Sequence, residues 1–162
     1  MKIGIYPGSF DPVTYGHLDI IKRSSMLFDK LYIAIMTNDN KTTDFNLEER
    51  ISMLEKVTKE YSNIEIVVGE GLTVDLAKKL GAKFLIRGIR AVMDYEYELQ
   101  LATVNMTLAH EIETVFLLTR PENSFLSSSI VKSIAKFEGD LTAFVPTEII
   151  PEIKAKYQKN KE

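Results

Sequence analysis

Side chains suited to binding phosphate follow most of the predicted strands of this chain. They are Ser9 and His17 after the first strand, Lys41 after the second, Arg87 and Arg90 after the fourth, and the triplet Ser127–Ser129 after the fifth. In a parallel sheet the carboxyl ends of the strands meet at one edge, which is where open α/β sheets bind ligands. The positions therefore predict an anion site whose cations arrive from separate loops.

The loop after the first strand is the most informative stretch. The residues Ile3–Tyr6 predict a buried strand, a loop rich in Gly and Pro follows, and a helix begins near Gly16 or His17. A helix N-terminus offers free backbone N–H groups and a positive dipole end, and both suit an anion. We therefore expect a phosphate site that includes His17. The sequence has no Gly-x4-Gly-Lys-Ser/Thr, and no Gly-x-Gly-x-x-Gly follows the first strand, so two common phosphate motifs are absent.

Each of these residues also has a simpler interpretation. The simpler roles are a capped or buried structural histidine for His17, a solvated loop lysine for Lys41, an ion pair with Asp94 or Glu98 for Arg87, and an N-cap for Ser127. Every one of these is reasonable for a single residue. The convergence of all of them at one sheet edge, in an acidic chain, favours the anion site.

Composition limits the class of protein. The chain has 162 residues with a 45% apolar and a 27% charged fraction, as expected for one globular domain over 1–162. The net charge of −3 argues against binding to nucleic acid or to a membrane surface. The absence of cysteine excludes disulfides and thiolate chemistry. With no long apolar run and no signal segment in the sequence, we expect a cytoplasmic protein.

Apolar runs alternate with helical patterns along the whole chain. The predicted strands are Ile3–Tyr6, Leu31–Met36, Ile64–Val68, Phe84–Ile86 and Thr114–Leu118. The predicted helices are Gly16–Phe28, one opened by Asn46, Leu72–Leu80, Asp94–Ala109, one from Ser127 to about Phe137, and a short one from about Thr147 that leads to a charged tail from about Lys156. This order predicts a Rossmann-like three-layer α/β fold, with a five-stranded parallel sheet, helices on both faces and a C-terminal helical extension.

Local signals fix some helix ends and leave one helix open to two interpretations. Asn46 and Glu49 resemble a capping box, and Gly81 is placed to end the third helix. The helix Asp94–Ala109 is apolar on more than one face. It is either sandwiched within the fold or covers a partner subunit as well.

These motifs resemble those of a known enzyme family. Thr14-Tyr15-Gly16-His17 is similar to the T/H-x-G-H motif of the nucleotidyltransferase superfamily. The first loop, the Leu-Ile-Arg-Gly-Ile-Arg-Ala-Val run, Tyr-Glu-Tyr-Glu-Leu-Gln and Asn-Ser-Phe-Leu-Ser-Ser-Ser-Ile-Val-Lys resemble its bacterial phosphopantetheine adenylyltransferase branch. The resemblance runs in register from Ile3 to about Pro146.

The resemblance implies a reaction and a set of site residues. Family members transfer the adenylyl group of ATP, which is accompanied by Mg²⁺, to 4′-phosphopantetheine and release dephospho-CoA and pyrophosphate in coenzyme A biosynthesis. It implies catalytic roles for His17 and Lys41, and acceptor binding by Ser9, Lys41, Thr73, Arg87 and Asn105. It implies ATP binding by Ser9, Phe10, His17, Gly88, Ile89, Arg90, Glu98, Asn123, Ser124, Phe125, Leu126, Ser127, Ser128 and Ser129. It also implies a homohexamer, and it leaves the protein ligands of the metal unassigned.

Three positions depart from the family pattern. Met106 and Lys136 stand where relatives often carry arginine, and Thr73 is more polar than the Leu or Met common there. Lysine keeps the charge of arginine but loses its bidentate fork. Two alternatives remain open: another adenylyl- or cytidylyltransferase of the superfamily, or a non-catalytic module that binds a nucleotide or CoA.

Overall fold

The predicted parallel sheet is confirmed by the structure, a computed structural model that describes residues 1–38 and 40–158. The strands are β1 (Ile3–Gly8), β2 (Lys30–Thr37), β3 (Ile64–Glu70), β4 (Phe84–Ile89) and β5 (Glu113–Leu118). The helices are α1 (Tyr15–Leu27), α2 (Leu47–Thr58), α3 (Thr73–Leu80), α4 (Val92–Leu108), α5 (Ser128–Lys136) and α6 (Ile150–Gln158). The strand order is β3-β2-β1-β4-β5, and the paired strands run parallel. The fold is therefore the expected Rossmann-like one.

The sheet is buried on both faces, as the continuous apolar strands predict. In β2, Leu31, Ile33 and Ile35 belong to a core cluster shared with α1, α2, α5 and α6. Tyr32 and Ala34 alternate with them and join α3 in a second cluster on the opposite face. Because the period of a strand is two, one run of apolar residues supplies both layers.

Helix α4 is not sandwiched within the fold of the single chain. Glu98 and Ala102 are its buried residues, whereas Tyr97, Val104 and Met106 are each about half exposed or more. Apolar side chains therefore remain open to solvent along most of this helix.

The predicted end of β4 is wrong by three residues. Arg87, Gly88 and Ile89 continue the strand, because they pair in register with residues 116–118 of β5. Arg87 therefore projects from within the strand and does not follow it, while Arg90 comes directly after the strand. A strand position is more rigid than the loop position that the sequence suggested.

Strand β3 is also longer than predicted. It runs two residues beyond Val68, because Gly69 and Glu70 pair with Met36 and Thr37 of β2.

The C-terminal segment differs from the prediction as well. The prediction of a solvated tail from Lys156 is wrong for residues 156–158, because α6 runs to Gln158 and Tyr157 is buried. The rest of that predicted tail, 159–162, lies outside the described residues. Among the described helices none is long and apolar enough to cross a membrane.

Candidate active site

A cleft of about 420 Å³ opens at the carboxyl edge of the sheet. It lies where β1 meets β4, the point at which the chain changes direction along the sheet and where α/β sheets bind ligands. Twelve of the residues predicted for the site line it: Ser9, Phe10, His17, Lys41, Arg87, Gly88, Arg90, Glu98, Leu126, Ser127, Ser128 and Ser129. The structure thus brings together the polar groups of four separate strand ends.

His17 is held by the first turn of α1. Thr14 is the N-cap, and the capping box is complete: Thr14 Oγ1 accepts from the His17 N–H at 3.4 Å, and the Thr14 N–H donates to His17 Nδ1 at 3.1 Å. The ring packs edge-on against Phe10, with centroids 5.1 Å apart. The simpler interpretation of His17 as a capping residue is therefore correct, and it is compatible with a place in the cleft.

Burial and Arg90 keep His17 neutral, and a hydrogen bond determines which ring nitrogen carries the proton. Burial, together with the positive charge of Arg90, lowers the pKa of His17 from 6.5 to about 4. The ring is therefore neutral near pH 7, and Nδ1 must be the unprotonated nitrogen because it accepts from the backbone of Thr14. The proton is on Nε2, which leaves the ring one N–H donor for a ligand in the cleft.

Gly88 permits the close packing that brings α1 over β4. A Cβ atom at this position would lie 3.1 Å from Ile20 Cγ1, closer than side chains normally approach. The absence of a side chain lets Ile20 pack against the strand. This contact places the first turn of α1, with His17, beside the end of β4.

Arg87 is fixed by a buried carboxylate. Its Nε and one terminal nitrogen donate to the two oxygens of Glu98 at 2.7 and 2.6 Å, and the other terminal nitrogen donates to the Pro7 carbonyl at 3.2 Å. Glu98 is 7% exposed. Three of the five N–H donors of the guanidinium are thus occupied, and two remain for a ligand. Of the two partners considered for Arg87, Glu98 is the correct one.

Arg90 connects β4 to the segment before α5. Its side chain donates to Asp94 Oδ2 at 3.2 Å and to the Leu126 carbonyl at 2.7 Å. The second contact crosses from β4 to the connection that precedes the serine triplet. Arg90 therefore joins two sides of the cleft and adds positive charge beside His17.

Lys41 reaches across the cleft to the first loop. Its Nζ donates to Ser9 Oγ at 2.9 Å, and the Ser9 carbonyl accepts from Arg50 of α2 at 3.0 Å. The ammonium of Lys41 is otherwise exposed. Two residues 32 positions apart in the sequence therefore meet, as the sheet topology predicts.

The three serines Ser127, Ser128 and Ser129 have different roles. Ser127 is the N-cap of α5, since its Oγ accepts from the Ile130 N–H at 3.2 Å, so its capping interpretation is correct. Ser128 Oγ donates to the Pro12 carbonyl at 2.8 Å, which ties α5 to the first loop. Ser129 is exposed at the cleft. Ser129 lies in the first turn of α5, which also offers backbone N–H groups that have no partner within the helix.

Relatives with assigned activities match almost the whole chain. A cytidylyltransferase-like family model matches residues 5–134. Phosphopantetheine adenylyltransferase of Lachnoclostridium phytofermentans is 59% identical over 97% of this chain and 96% of its own length. The enzymes of that name from Alkaliphilus metalliredigens and Caldanaerobacter subterraneus are 51% and 49% identical, over 96% and 99% of this chain and 99% and 100% of their own lengths. The chain belongs to the phosphopantetheine adenylyltransferase family.

Solved structures agree on the fold. Nicotinic acid mononucleotide adenylyltransferase of Plasmodium falciparum, complexed with NaAD, aligns with a TM-score of 0.67 at 18% identity and covers 99% of this chain and 96% of that one. A crystallised chain from Vibrio parahaemolyticus aligns with a TM-score of 0.73 at 15% identity, over 98% of this chain and 97% of its own. At these low sequence identities, the alignments support the fold and carry no conclusion about activity.

Some residues assigned from the family pattern lie outside the cleft of the single chain. They are Thr73 at the start of α3, Asn105 on α4, Ile89 at the end of β4, and Asn123, Ser124 and Phe125 before α5. Their roles in the phosphopantetheine adenylyltransferase family pattern stay predictions here. Met106 is half exposed on α4. Lys136, where relatives often carry arginine, has its Nζ 5.8 Å from the ring of Tyr157.

Sequence reasoning missed Lys132 and the role of Asp11. Lys132 lines the cleft one helical turn after Ser128 and Ser129, and its Nζ lies 2.5 Å from Asp11 Oδ2. Asp11 is 5% exposed, and its carboxylate also accepts the N–H groups of Asp44 at 3.0 Å and of Phe45 at 2.8 Å. The spacing from the serines by three or four residues was the available signal for Lys132.

The carboxylates of the cleft are all engaged. Among the described lining residues these are Asp11, Asp94 and Glu98, which pair with Lys132, Arg90 and Arg87 respectively. Within 1–38 and 40–158, no three metal-binding side chains cluster. Asp11, the carboxylate in the first loop, is thus committed to the scaffold.

Proposed function

We propose that this protein transfers the adenylyl group of ATP to 4′-phosphopantetheine and releases pyrophosphate and dephospho-CoA. The observation that carries the proposal is the near full-length identity of 49–59% to enzymes named phosphopantetheine adenylyltransferase. The cleft agrees with that activity, because its cations come from opposite sides and suit two anionic substrates. The reaction is the penultimate step of coenzyme A formation.

The chemistry requires no general base. An oxygen of the acceptor phosphate forms a bond to the α-phosphorus of ATP while the bond from that phosphorus to the bridging oxygen of pyrophosphate breaks. The attacking group is already an anion, so the barrier comes from repulsion, alignment and the charge of the transition state. A neutral His17 with its proton on Nε2 suits this task, because it can donate a hydrogen bond to an α-phosphate oxygen and need not accept a proton.

The two sides of the cleft then bind different substrates. Ser9, Lys41 and Arg87 hold the acceptor phosphate, and Lys41 also reaches the transferring group. Arg90 and the first turn of α5, with Ser128 and Ser129, hold the polyphosphate of ATP through charge and backbone N–H groups. Lys132 adds a further cation on the ATP side.

Magnesium accompanies the nucleotide in this proposal. The paired carboxylates of the cleft leave the ion to bind mainly phosphate oxygens and water, which is common for Mg²⁺. The ion would neutralise part of the charge on the leaving pyrophosphate. The remaining positive charge comes from the side chains of the cleft.

The exposed apolar faces of α4 support assembly into a homohexamer. Val104 and Met106 are about half exposed, and Tyr97 more so, in the single chain. Such a helix is typical of one that buries a face against other subunits. Sedimentation at micromolar protein tests this, and a monomer there would contradict it. We place the protein in the cytoplasm, together with ATP and the CoA intermediates.

The activity is tested by pyrophosphate release. The purified protein is incubated with ATP, Mg²⁺ and one acceptor at a time: phosphopantetheine, nicotinate mononucleotide, phosphocholine or glycerol phosphate, each also with CTP. We expect release with ATP and phosphopantetheine only. Release with another pair would favour a different nucleotidyltransferase, and binding of nucleotide without release would favour a non-catalytic module.

A further inference from the structure

Lys41, one of the cations proposed for the acceptor phosphate, lies on a loop between two elements of the fold. The Lys41 loop, residues 38–46 with 39 outside the described residues, joins β2 to α2. The side chain of Lys41 is exposed, and its Nζ donates to Ser9 Oγ. The position of this ammonium therefore depends on what anchors the other end of the loop.

That other end is bonded to the first loop and to α5. The backbone N–H groups of Asp44 and Phe45 donate to the buried carboxylate of Asp11. Lys132 of α5 contacts Asp11 Oδ2 at 2.5 Å and Asp44 Oδ1 at 3.5 Å. One ammonium thus lies between two carboxylates, and Asp44 Oδ2 takes its hydrogen bond from a different donor.

The further donor comes from the C-terminal helix. Tyr157 of α6 donates its hydroxyl to Asp44 Oδ2 at 2.6 Å, and its ring lies edge-on to Phe45 with centroids 6.2 Å apart. Tyr157 is 6% exposed. A buried tyrosine hydroxyl needs a hydrogen-bond partner, and here the partner lies three residues from Lys41 in the sequence.

Neighbouring contacts of α6 serve a different part of the fold. Lys156 bonds both carboxylate oxygens of Glu49, the capping-box residue of α2, and Glu152 pairs with Lys56 of α2. These contacts attach α6 to α2. The ring of Tyr157 and the ammonium of Lys156 also pack on Phe45 at the end of the Lys41 loop. Among the described hydrogen bonds of α6, the one from the Tyr157 hydroxyl is the one that reaches a side chain of this loop before the α2 cap.

We propose that Tyr157 is a positioning residue for the acceptor phosphate, because its hydrogen bond to Asp44 fixes the loop that presents Lys41 to the cleft. This inference rests on the proposed function and adds a residue outside the cleft to it. Tyr157 contacts neither substrate in this arrangement. It acts through the orientation of Lys41, and so it affects binding of the acceptor phosphate far more than binding of ATP.

The test compares Tyr157→Phe with the wild-type protein in the pyrophosphate assay. Loss of one hydrogen bond to a charged group should raise the KM for 4′-phosphopantetheine about three- to tenfold. The KM for ATP should stay within about twofold, since no ATP-side contact is altered. Glu152→Gln is the matched control, because it loosens α6 from α2 without touching the Lys41 loop, and both of its KM values should be those of the wild type.

A double-mutant cycle shows whether the effect passes through Lys41. In a Lys41→Ala background, Tyr157→Phe should have no further effect on the dissociation constant of phosphopantetheine measured by calorimetry. Asp44→Ala removes the same hydrogen bond from the loop side, together with the contact to Lys132 at 3.5 Å, and should reproduce the loss of acceptor affinity. If the Tyr157→Phe protein does not fold, the Asp44→Ala variant is used for the test in its place.

Each outcome decides between a positioning role and a purely structural one. An unchanged acceptor KM, an equal loss for ATP and acceptor, or a loss that persists in the Lys41→Ala background would overturn the inference. A lower melting temperature with unchanged KM values would overturn it as well. If the wild-type protein itself releases no pyrophosphate with phosphopantetheine, the proposed function has failed, and this outcome is distinct from the failure of Tyr157→Phe to differ from wild type.

Discussion

Arg87 and Lys41 face the same cleft but are held in different ways. Arg87 projects from β4, donates twice to a buried carboxylate and once to a backbone carbonyl. Lys41 lies in a loop, is exposed, and bonds Ser9 through its ammonium. From this difference we expect Arg87 to be fixed before substrate arrives and Lys41 to complete its contacts on binding. His17 belongs with the fixed group, because backbone bonds orient its ring.

The largest effect is expected from removing a fixed donor at the reacting centre. His17→Ala should lower kcat by about two to three orders of magnitude, as when one preorganised donor to a transition state is lost. Steady-state kinetics with phosphopantetheine measure this. Because alanine also removes the capping box, His17→Gln is the companion variant, since glutamine can keep the box. Near-normal turnover by folded His17→Ala protein would refute the role of His17.

Arg87→Ala should weaken binding of phosphopantetheine by about tenfold or more, because a desolvated charge contact to the acceptor is lost. Binding of ATP should change less. Calorimetric titration with each substrate measures both constants. An equal loss for the two substrates would contradict the assignment of Arg87 to the acceptor.

The same substitution leaves Glu98 buried without its partner. Loss of one member of a buried pair typically costs about 3–5 kcal/mol of unfolding free energy. Arg87→Ala combined with Glu98→Gln removes the unpaired charge and separates this folding cost from the binding effect. Denaturant unfolding of the single and double variants provides the comparison.

Because the pKa of His17 is lowered on folding, the unfolding free energy should decrease as the pH falls. The pKa is lowered from 6.5 to about 4 on folding, so the unfolded chain binds more protons between these values. The unfolding free energy of the wild type should therefore fall, relative to His17→Gln, as pH decreases from about 6.5 to 4. The expected difference is roughly 1–3 kcal/mol, the lower part allowing for partial exposure of the ring. A difference that grows with rising pH would contradict a neutral His17.

The smallest effect is expected where the Lys41 loop meets α2. Asn46 caps this helix, with its side chain accepting from the Glu49 N–H at 2.9 Å. Asn46→Ala should lower the unfolding free energy by about 1 kcal/mol. Thermal melting measures this, and kcat at saturating substrate should remain near the wild-type value. A large fall in kcat would contradict this prediction, because it would show that the cap of α2 also positions residues of the cleft.

The sequence was sufficient to predict what depends on local pattern. Strand and helix order follow from periodicity, and the capping box at Asn46 and the left-handed Gly81 follow from short-range rules. The convergence of Ser9, Lys41 and Arg87 follows from the shared edge of a parallel sheet. Each of these inferences needs only residue types and spacing.

The remaining features depend on contacts between distant segments. Lys132 and Asp11 are 121 positions apart, and Tyr157 and Asp44 are 113 apart. No local pattern indicates which lysine meets which carboxylate once several helices pack together. The end of β4 was missed for a related reason, because Arg87 and Gly88 are unusual strand residues and are held there by pairing with β5.

The position of β1 between β2 and β4 has a consequence for substrate geometry. Neighbouring strands lie about 4.8 Å apart, so the hydrogen-bonding ladder of the sheet sets the lateral separation of Ser9, directly after β1, and Arg87, within β4. Side-chain rotation can refine that separation but cannot replace it. A slip of β4 by one residue would send Arg87 to the opposite face of the sheet. The distance between these two phosphate-binding candidates is thus determined by strand register, a property of the backbone.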